Sequence, residues 1–217
     1  MASSHPVVVD GARAAIEPLL DSTPRRIVVG IAGPPAAGKS TLAASIASAL
    51  CGTHGARTAM AVGMDGFHLA NSELSRLGYA GRKGAPETFD VYGFIAMLRR
   101  LRAHDDPVVY APVYSRTVHE SINAAIPIAS DIRVVIVEGN YLLLPMPPWD
   151  RVRPLLDVAL YLDAPTGVRV DSLIRRQRSR GLDRSAALDW VHSSDEVNAK
   201  LIATTRDRAD VVLARPV

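Results

Sequence analysis

The sequence predicts an α/β protein in which a parallel sheet is sandwiched between helices, and three observations predict it. Short apolar, β-branched runs alternate with segments of helical period. The run at 133–138 is apolar through its middle, as a strand covered on both faces by helices must be. The run at 27–31 breaks at glycine and continues as Gly33-x-x-x-x-Gly38-Lys39-Ser40 into a small-residue helical segment at 42–50, which is the strand, loop and helix order of a phosphate-binding loop (P-loop).

The elements follow in chain order. Residues 7–20 carry apolar side chains at Val9, Ala12, Ile16, Leu19 and Leu20, a helical period that Pro18 is expected to end or kink. After the loop and its helix, 58–62 reads as a second strand running into Met64-Asp65-Gly66-Phe67-His68. A short helix at 71–77 precedes a Gly/Lys-rich loop at 78–86 that is too polar to be core. Asp90 is placed to cap a helix at 91–103 with Val91, Phe94, Ile95, Leu98 and Leu101 on its inner face. Strands are expected at 107–114 and 124–128, then at 133–138 and 156–162. Thr166 is placed to cap a helix reaching Gln177, followed by helices at 185–191 and 195–209 and a last short strand at 211–213.

Composition narrows the class. At 217 residues with 48% hydrophobic and 5% aromatic residues, the chain suits one Ala/Val/Leu-rich domain over 1–217 and excludes a disordered chain. The start, Met1-Ala2-Ser3-Ser4-His5-Pro6, lacks a basic, then apolar leader, and no apolar run approaches the roughly 18 residues that span a bilayer. A cytoplasmic protein with no membrane partner is expected. Cys51 has no second cysteine to pair with and reads as a small buried hydrophobe. A net charge of +3 and a pI of 9.2 suit a handler of phosphorylated ligands and a nucleic-acid binder equally.

The chemistry begins at the loop. Holding a polyphosphate takes several backbone N–H groups at once, so Gly33 and Gly38 supply tight curvature and close approach, and the helix that follows turns its positive end to the anion. Gly33, Pro34, Ala36, Ala37, Gly38, Lys39, Ser40 and Thr41 are therefore the expected nucleotide-binding residues. Lys39 brings a charge to the β and γ phosphates, and Ser40 offers its hydroxyl to Mg²⁺.

Asp65 ends an apolar strand, where α/β proteins place ligand-binding groups, and is the first choice for the carboxylate that takes the proton of an acceptor hydroxyl. Its competing reading is a turn cap before Gly66. His68 is expected to line the acceptor pocket. Glu138, at the end of the most apolar strand, serves either Mg²⁺ or the acceptor, or faces solvent. The run Arg175-Arg176-Gln177-Arg178-Ser179-Arg180-Gly181 reads as a lid at about 175–184 whose guanidiniums cover the transferred phosphoryl; a solvated helix face and a nucleic-acid patch compete with that reading. Tyr114, Arg116 and His119 after a strand, and Lys83 with Arg82 in the loop, are acceptor-binding candidates that place this region at about 65–120.

Taken as a set, Gly33 to Thr41, Met64-Asp65-Gly66-Phe67-His68, the stretch 83–90, Pro112-Val113-Tyr114-Ser115-Arg116, Val137-Glu138-Gly139-Asn140-Tyr141 and Arg175 to Gly181 resemble the phosphoribulokinase, uridine kinase and bacterial-type pantothenate kinase superfamily. The resemblance implies a P-loop NTPase three-layer sandwich with a five-stranded parallel core sheet, helices on both faces and an arginine-bearing lid. It implies transfer of the γ-phosphoryl of ATP, with Mg²⁺, to a hydroxyl of a small molecule. It places the base on Asp65, the phosphate-gripping lysine on Lys39 and the lid arginines on Arg176 and Arg180. Asn198 and the 205–209 stretch look most like the pantothenate kinase branch, which adds Asn198 to the acceptor-binding set. This chain is shorter than those enzymes and has Arg116 where their pattern has histidine, so a nucleoside such as uridine, a pantothenate-like acid and a sugar all stay open as acceptors. The alternative class is an ATP-binding regulator or nucleic-acid-associated P-loop NTPase without a small-molecule acceptor. Nucleic acid is not an expected partner, and a homodimer is left open.

Overall fold

The computed structural model describes residues 6–215; the expectation drawn from the opening Met1–His5 stretch lies outside the described residues. The elements are α1 Pro6–Ser22, β1 Ile27–Ala32, α2 Lys39–His54, β2 Ala59–Gly63, α3 Asn71–Arg76, α4 Val91–Ala103, β3 Val108–Ser115, β4 Glu120–Ala129, β5 Val134–Glu138, β6 Val158–Asp163, α5 Thr166–Arg178, α6 Arg184–Trp190, α7 Glu196–Ala203 and β7 Val211–Ala214. Five strands form a parallel sheet in the order β2-β5-β1-β6-β7, with β1 at its centre. Strands β3 and β4 pair antiparallel as a separate hairpin.

Strand β1 is buried at every position because both sheet faces are covered. Ile27, Val29 and Ile31 point into one apolar cluster with α1 and α2, and Val28 and Ala32 into the other with α4, the hairpin and Trp149. The period-2 alternation of a strand thus divides one apolar run between two cores. Buried Arg26, just before β1, donates from Nε to Ile132 O (2.9 Å) and from Nη2 to Ala129 O (2.7 Å), joining the central strand to the turn that leads into β5.

Register is what places the functional edge. Ile31 of β1 and Gly63 of β2 both align with Glu138 of β5. The three strands therefore end on one row, and the segments that follow them emerge side by side.

Several sequence expectations are corrected. Pro18 does not end α1, which runs on to Ser22 with Leu19 and Leu20 packed against the α1–α2 core. Thr166 is the first residue of α5 and not its cap; the cap position is Pro165, with no side-chain hydrogen bond. The 78–86 loop is not wholly surface, since Ala85 and Pro86 are buried beside short 3₁₀ turns. The helices expected at 185–191 and 195–209 are α6 and α7, joined by a five-residue π turn at Val191–Asp195, and α7 stops at Ala203. Past that point the Thr205 hydroxyl bonds back to Ile202 O (2.7 Å) and the chain turns as a 3₁₀ segment. Asp90 does cap α4, accepting from Gly93 N at 2.8 Å.

Candidate active site

The loop between β1 and α2 is built by close approach. A Cβ on Gly33 would lie 2.5 Å from Leu162 O of β6, so the chain can leave the central strand at this point only as glycine. Ala36 and Gly38 have φ of 60° and 101°, and Gly38 opens α2 in the left-handed region without any side-chain cap. The uncapped end leaves the helix's first N–H groups for a ligand.

Lys39 follows at once and is 7% exposed. Its ammonium donates to Gly33 O (2.9 Å), Pro34 O (3.1 Å) and Asn140 Oδ1 (2.7 Å), folding the loop around its own cation. Burial pushes the Lys39 pKa down, and the carboxylates of Glu138 and Asp65 oppose that.

Glu138 is 9% exposed at the end of β5 and accepts from Ser40 Oγ at 2.8 Å. Burial pushes its carboxyl above the ordinary range against the pull of Lys39, and the charge of Asp65 adds to the rise. A Cβ on the neighbouring Gly63 would come within 3.1 Å of Glu138 Oε1, so the glycine leaves the carboxylate its space.

Asp65 lies on the 3₁₀ turn Met64–Phe67 that continues β2. Strand β3 crosses so close that a Cβ on Gly66 would collide with Pro112 O, which explains the Asp-Gly pair without a capping role. The main-chain carbonyl of Asp65 accepts from the N–H of His68 (3.2 Å) and faces His68 Nδ1 (2.8 Å), while its carboxylate makes no side-chain hydrogen bond among the described residues. A carbonyl only accepts, so Nδ1 carries the proton and Nε2 is left as the open nitrogen. Burial pushes the His68 pKa down, against the nearby Asp65 charge. Its ring lies against Phe89 and Tyr114, with centroids 4.1 and 5.0 Å away.

The loop at 78–86 and the hairpin tip close the adjacent wall. Lys83 Nζ donates to Asn71 Oδ1 (2.5 Å) and His119 O (2.8 Å) and lies 5.2 Å from the Tyr114 ring centre, so it ties loop, α3 and hairpin together. Gly84 O accepts from Tyr141 Oη (2.6 Å) and, at 3.4 Å, from Asn198 Nδ2 of α7. Opposite stands α5 with half-buried Arg176, and in the turn just past its end Arg180 is exposed with Nη1 3.4 Å from Gln177 Oε1.

These groups line one cleft of about 540 Å³. It brings together Ala36, Gly38, Lys39, Ser40 and Thr41 of the loop with Asp65, His68, Lys83, Tyr114, Arg116, His119, Glu138, Arg176, Arg180 and Asn198. Gly33, Pro34 and Ala37 are not on its lining: the first two turn their carbonyls to Lys39, and Ala37 is buried in the α1–α2 core. Arg175 and Arg178 of the arginine run are also off the lining. Sequence reasoning missed Asn140, Asn71, Gln177, Trp190 and Asp195, all of which line the cleft. Asn140 had a signal, standing two residues after Glu138 at the same strand end; the others reach the cleft only through the packing of α3, α5, α6 and the π turn.

A glycine-bounded loop leaving the central strand of a parallel sheet, with a lysine folded into it and carboxylates just past β2 and at the end of β5 on the same cleft, is the phosphate-handling site of a P-loop protein, and the relatives below make it a small-molecule kinase. The chain belongs to the phosphoribulokinase / uridine kinase family, whose profile matches residues 28–216. A Schizosaccharomyces pombe protein named "Putative uridine kinase C227.14" is 31% identical over 195 residues, covering 87% of this chain and 83% of that protein. A pantothenate kinase of Latilactobacillus sakei is 35% identical over 138 residues, covering 63% of this chain and 44% of that enzyme. Among solved structures, a "putative fructose transport system kinase" from Silicibacter sp. TM1040 is similar, with a TM-score of 0.86 at 35% identity, covering 94% of this chain and 98% of that one.

Proposed function

We propose that the protein transfers the γ-phosphoryl of ATP to a hydroxyl of a small metabolite, with Asp65 as the base. The observation that carries this reading is the free Asp65 carboxylate on the same cleft as Lys39, near enough that its charge bears on the ammonium. A phosphoryl acceptor needs a carboxylate that is not already occupied.

In the reaction, a carboxylate oxygen of Asp65 takes the acceptor's proton as the hydroxyl oxygen bonds to the γ phosphorus. The bond from that phosphorus to the β–γ bridging oxygen breaks, and ADP leaves. Lys39 exchanges its loop carbonyls for phosphate oxygens, and Arg176 and Arg180 meet the charge of the transferring group. Transfer is direct and in line: Asp65 takes the proton and the acceptor oxygen attacks phosphorus itself, so no covalent phosphoenzyme step is needed. His68 Nε2, tautomer fixed by the Asp65 carbonyl, accepts a hydrogen bond from the acceptor beside Tyr114 and Asn198.

Ser40 and Glu138 suit Mg²⁺. Their oxygens are adjacent at 2.8 Å, and among the described residues no group of three or more His, Cys, Asp or Glu forms a self-sufficient cage. A hard cation that keeps waters and takes its other ligands from phosphates matches such a sparse donor set. When bound, Mg²⁺ neutralises charge on the β and γ phosphates.

The acceptor classes are a nucleoside such as uridine, a pantothenate-like acid and a sugar, acting in the cytoplasm. The test is ADP release from ATP in the presence of uridine, pantothenate or free sugars. Turnover that depends strictly on one of these supports the reading; ATP binding without turnover, or stimulation by RNA or DNA alone, refutes it.

A further inference from the structure

Five buried side-chain polar atoms have no hydrogen-bond partner among the described residues: Arg26 Nη1, Arg133 Nε, Asp150 Oδ1, Arg176 Nε and Asp195 Oδ2. Only Arg176 and Asp195 of these line the cleft. Their unmet atoms are opposite in kind, one an N–H donor and the other a carboxylate acceptor. A buried polar group left unmet is costly, more so when charged, so two such atoms of opposite kind on one cleft call for a partner.

The two side chains already sense each other. Burial pushes the Asp195 carboxyl up, and the Arg176 guanidinium is the foremost influence pulling it back, followed by the neighbouring Gln177 amide. Arg176 is disfavoured as a cation by burial and by the nearby guanidiniums of Arg116 and Arg180, while Asp65 and Asp195 favour it. Arg176 therefore sits in a crowd of like charge with one carboxylate on the lid side that it does not yet bond.

The backbone explains how that carboxylate comes to be there. Asp195 closes the π turn Val191–Asp195 between α6 and α7. One residue added to a helical turn rotates the succeeding helix by roughly 100° about the axis, and such wide turns recur at functional sites. Here the turn sets Asp195 toward α5 beside Gln177, while Arg169 of α5 and Glu196 of α7 join those two helices through a part-buried 2.9 Å ion pair.

We propose that Asp195 is the positioning residue of Arg176: with nucleotide bound, Asp195 Oδ2 accepts the Nε–H of Arg176, fixing the guanidinium plane so that Nη1 and Nη2 face the transferring phosphoryl. Arginine presents five donors in a rigid fork, so a bond at Nε orients the outer two nitrogens without consuming them. Both unmet atoms are satisfied in one contact, and the repulsion from Arg116 and Arg180 is offset. This inference rests on the phosphotransfer reading above.

The test begins with the arginine Nε–H resonances of ¹⁵N-labelled protein saturated with Mg²⁺ and a non-hydrolysable ATP analogue. One downfield, slowly exchanging Nε–H signal is expected in the wild type and absent from Arg176→Lys and from Asp195→Ala, with thermal melts confirming that both variants fold. With whichever of uridine, pantothenate or fructose supports turnover, Asp195→Ala is expected to lower kcat roughly 10- to 100-fold with both KM values near wild type. It should cause no further loss when added to Arg176→Ala, and Asp195→Glu should keep part of the rate that Asp195→Ala loses. An Nε–H signal unchanged in Asp195→Ala, additive losses in the double variant, or a loss confined to the acceptor KM would overturn the assignment. A wild type that turns over none of the acceptors overturns the phosphotransfer reading itself, a result distinct from these.

Discussion

Replacing Asp65 by asparagine keeps the shape of the side chain and removes its capacity to take a proton. The structure separates the consequences. The carboxylate makes no side-chain hydrogen bond among the described residues, and the two contacts that organise the turn, from His68 N (3.2 Å) and His68 Nδ1 (2.8 Å), use the main-chain carbonyl that the variant retains. Folding stability should stay within about 0.5 kcal/mol of wild type, as for a substitution outside any network. Asp65 also raises the Glu138 carboxyl pKa, so its neutralisation makes Glu138 easier to ionise, and the charge lost at one carboxylate is at most regained at the other, with no added repulsion for the phosphates. ATP binding should therefore be undiminished. General-base catalysis contributes about 10²–10⁴-fold, which at 1.36 kcal/mol per tenfold is about 3–5 kcal/mol of transition-state stabilisation. Asp65→Asn should lose that factor in kcat. The assay couples ADP release to acceptor consumption, with calorimetry for ATP affinity and a thermal melt for the fold. Turnover within a few-fold of wild type removes Asp65 from the reaction, and a loss traceable to ATP affinity shows that it belongs to the nucleotide site.

Gly33→Ala should destabilise by about 1–3 kcal/mol, because the new Cβ meets Leu162 O at 2.5 Å and the central strands must shift; at about 2–4 °C per kcal/mol the melting temperature reports it, and an unchanged melt contradicts the packing. Because burial depresses the His68 pKa below its ordinary 6.5, the unfolded chain binds a proton that the folded ring does not, so stability is full above that pH and drains as pH falls below it. Melts of wild type and His68→Gln between pH 8 and pH 5 should show the variant gaining relative stability toward acid; parallel curves would mean that the ring protonates in place. Tyr141→Phe removes the 2.6 Å hydrogen bond to Gly84 O, leaving that carbonyl the 3.4 Å contact with Asn198. A loss of about 0.5–1.5 kcal/mol is expected with a raised acceptor KM and an unchanged ATP KM, read by melting and steady-state kinetics.

The layers and the phosphate loop were legible because their causes are local. A strand covered on two faces must be apolar throughout, and β1 and β5 announce themselves that way, while Gly33, Gly38, Lys39 and Ser40 stand within one short stretch. The order of the strands was not legible from residue pattern, because parallel neighbours such as β1 and β5 are joined only through distant crossovers. Helix limits failed where tertiary contacts override local preference: Pro18 is carried inside α1 by the packing of Leu19 and Leu20, and the break expected between α6 and α7 is a wide turn. On the cleft, residues at strand ends were readable, because the sheet delivers Asp65 and Glu138 to one edge whatever else happens. Gln177, Trp190 and Asp195 were not, since nothing near them in sequence says which way α5 and the π turn face.

The alignment of Ile31, Gly63 and Glu138 along one ladder row divides the molecule's freedom to change. A single-residue deletion within β5 would throw Glu138 to the opposite side of the sheet and break its contact with Ser40 of the phosphate loop. The hairpin β3–β4 and the 78–86 loop hang outside that ladder, and lengthening or redecorating them leaves the row untouched. On the proposed reading, a change of acceptor can be made at the periphery while the phosphate loop and the strand ends stay in place.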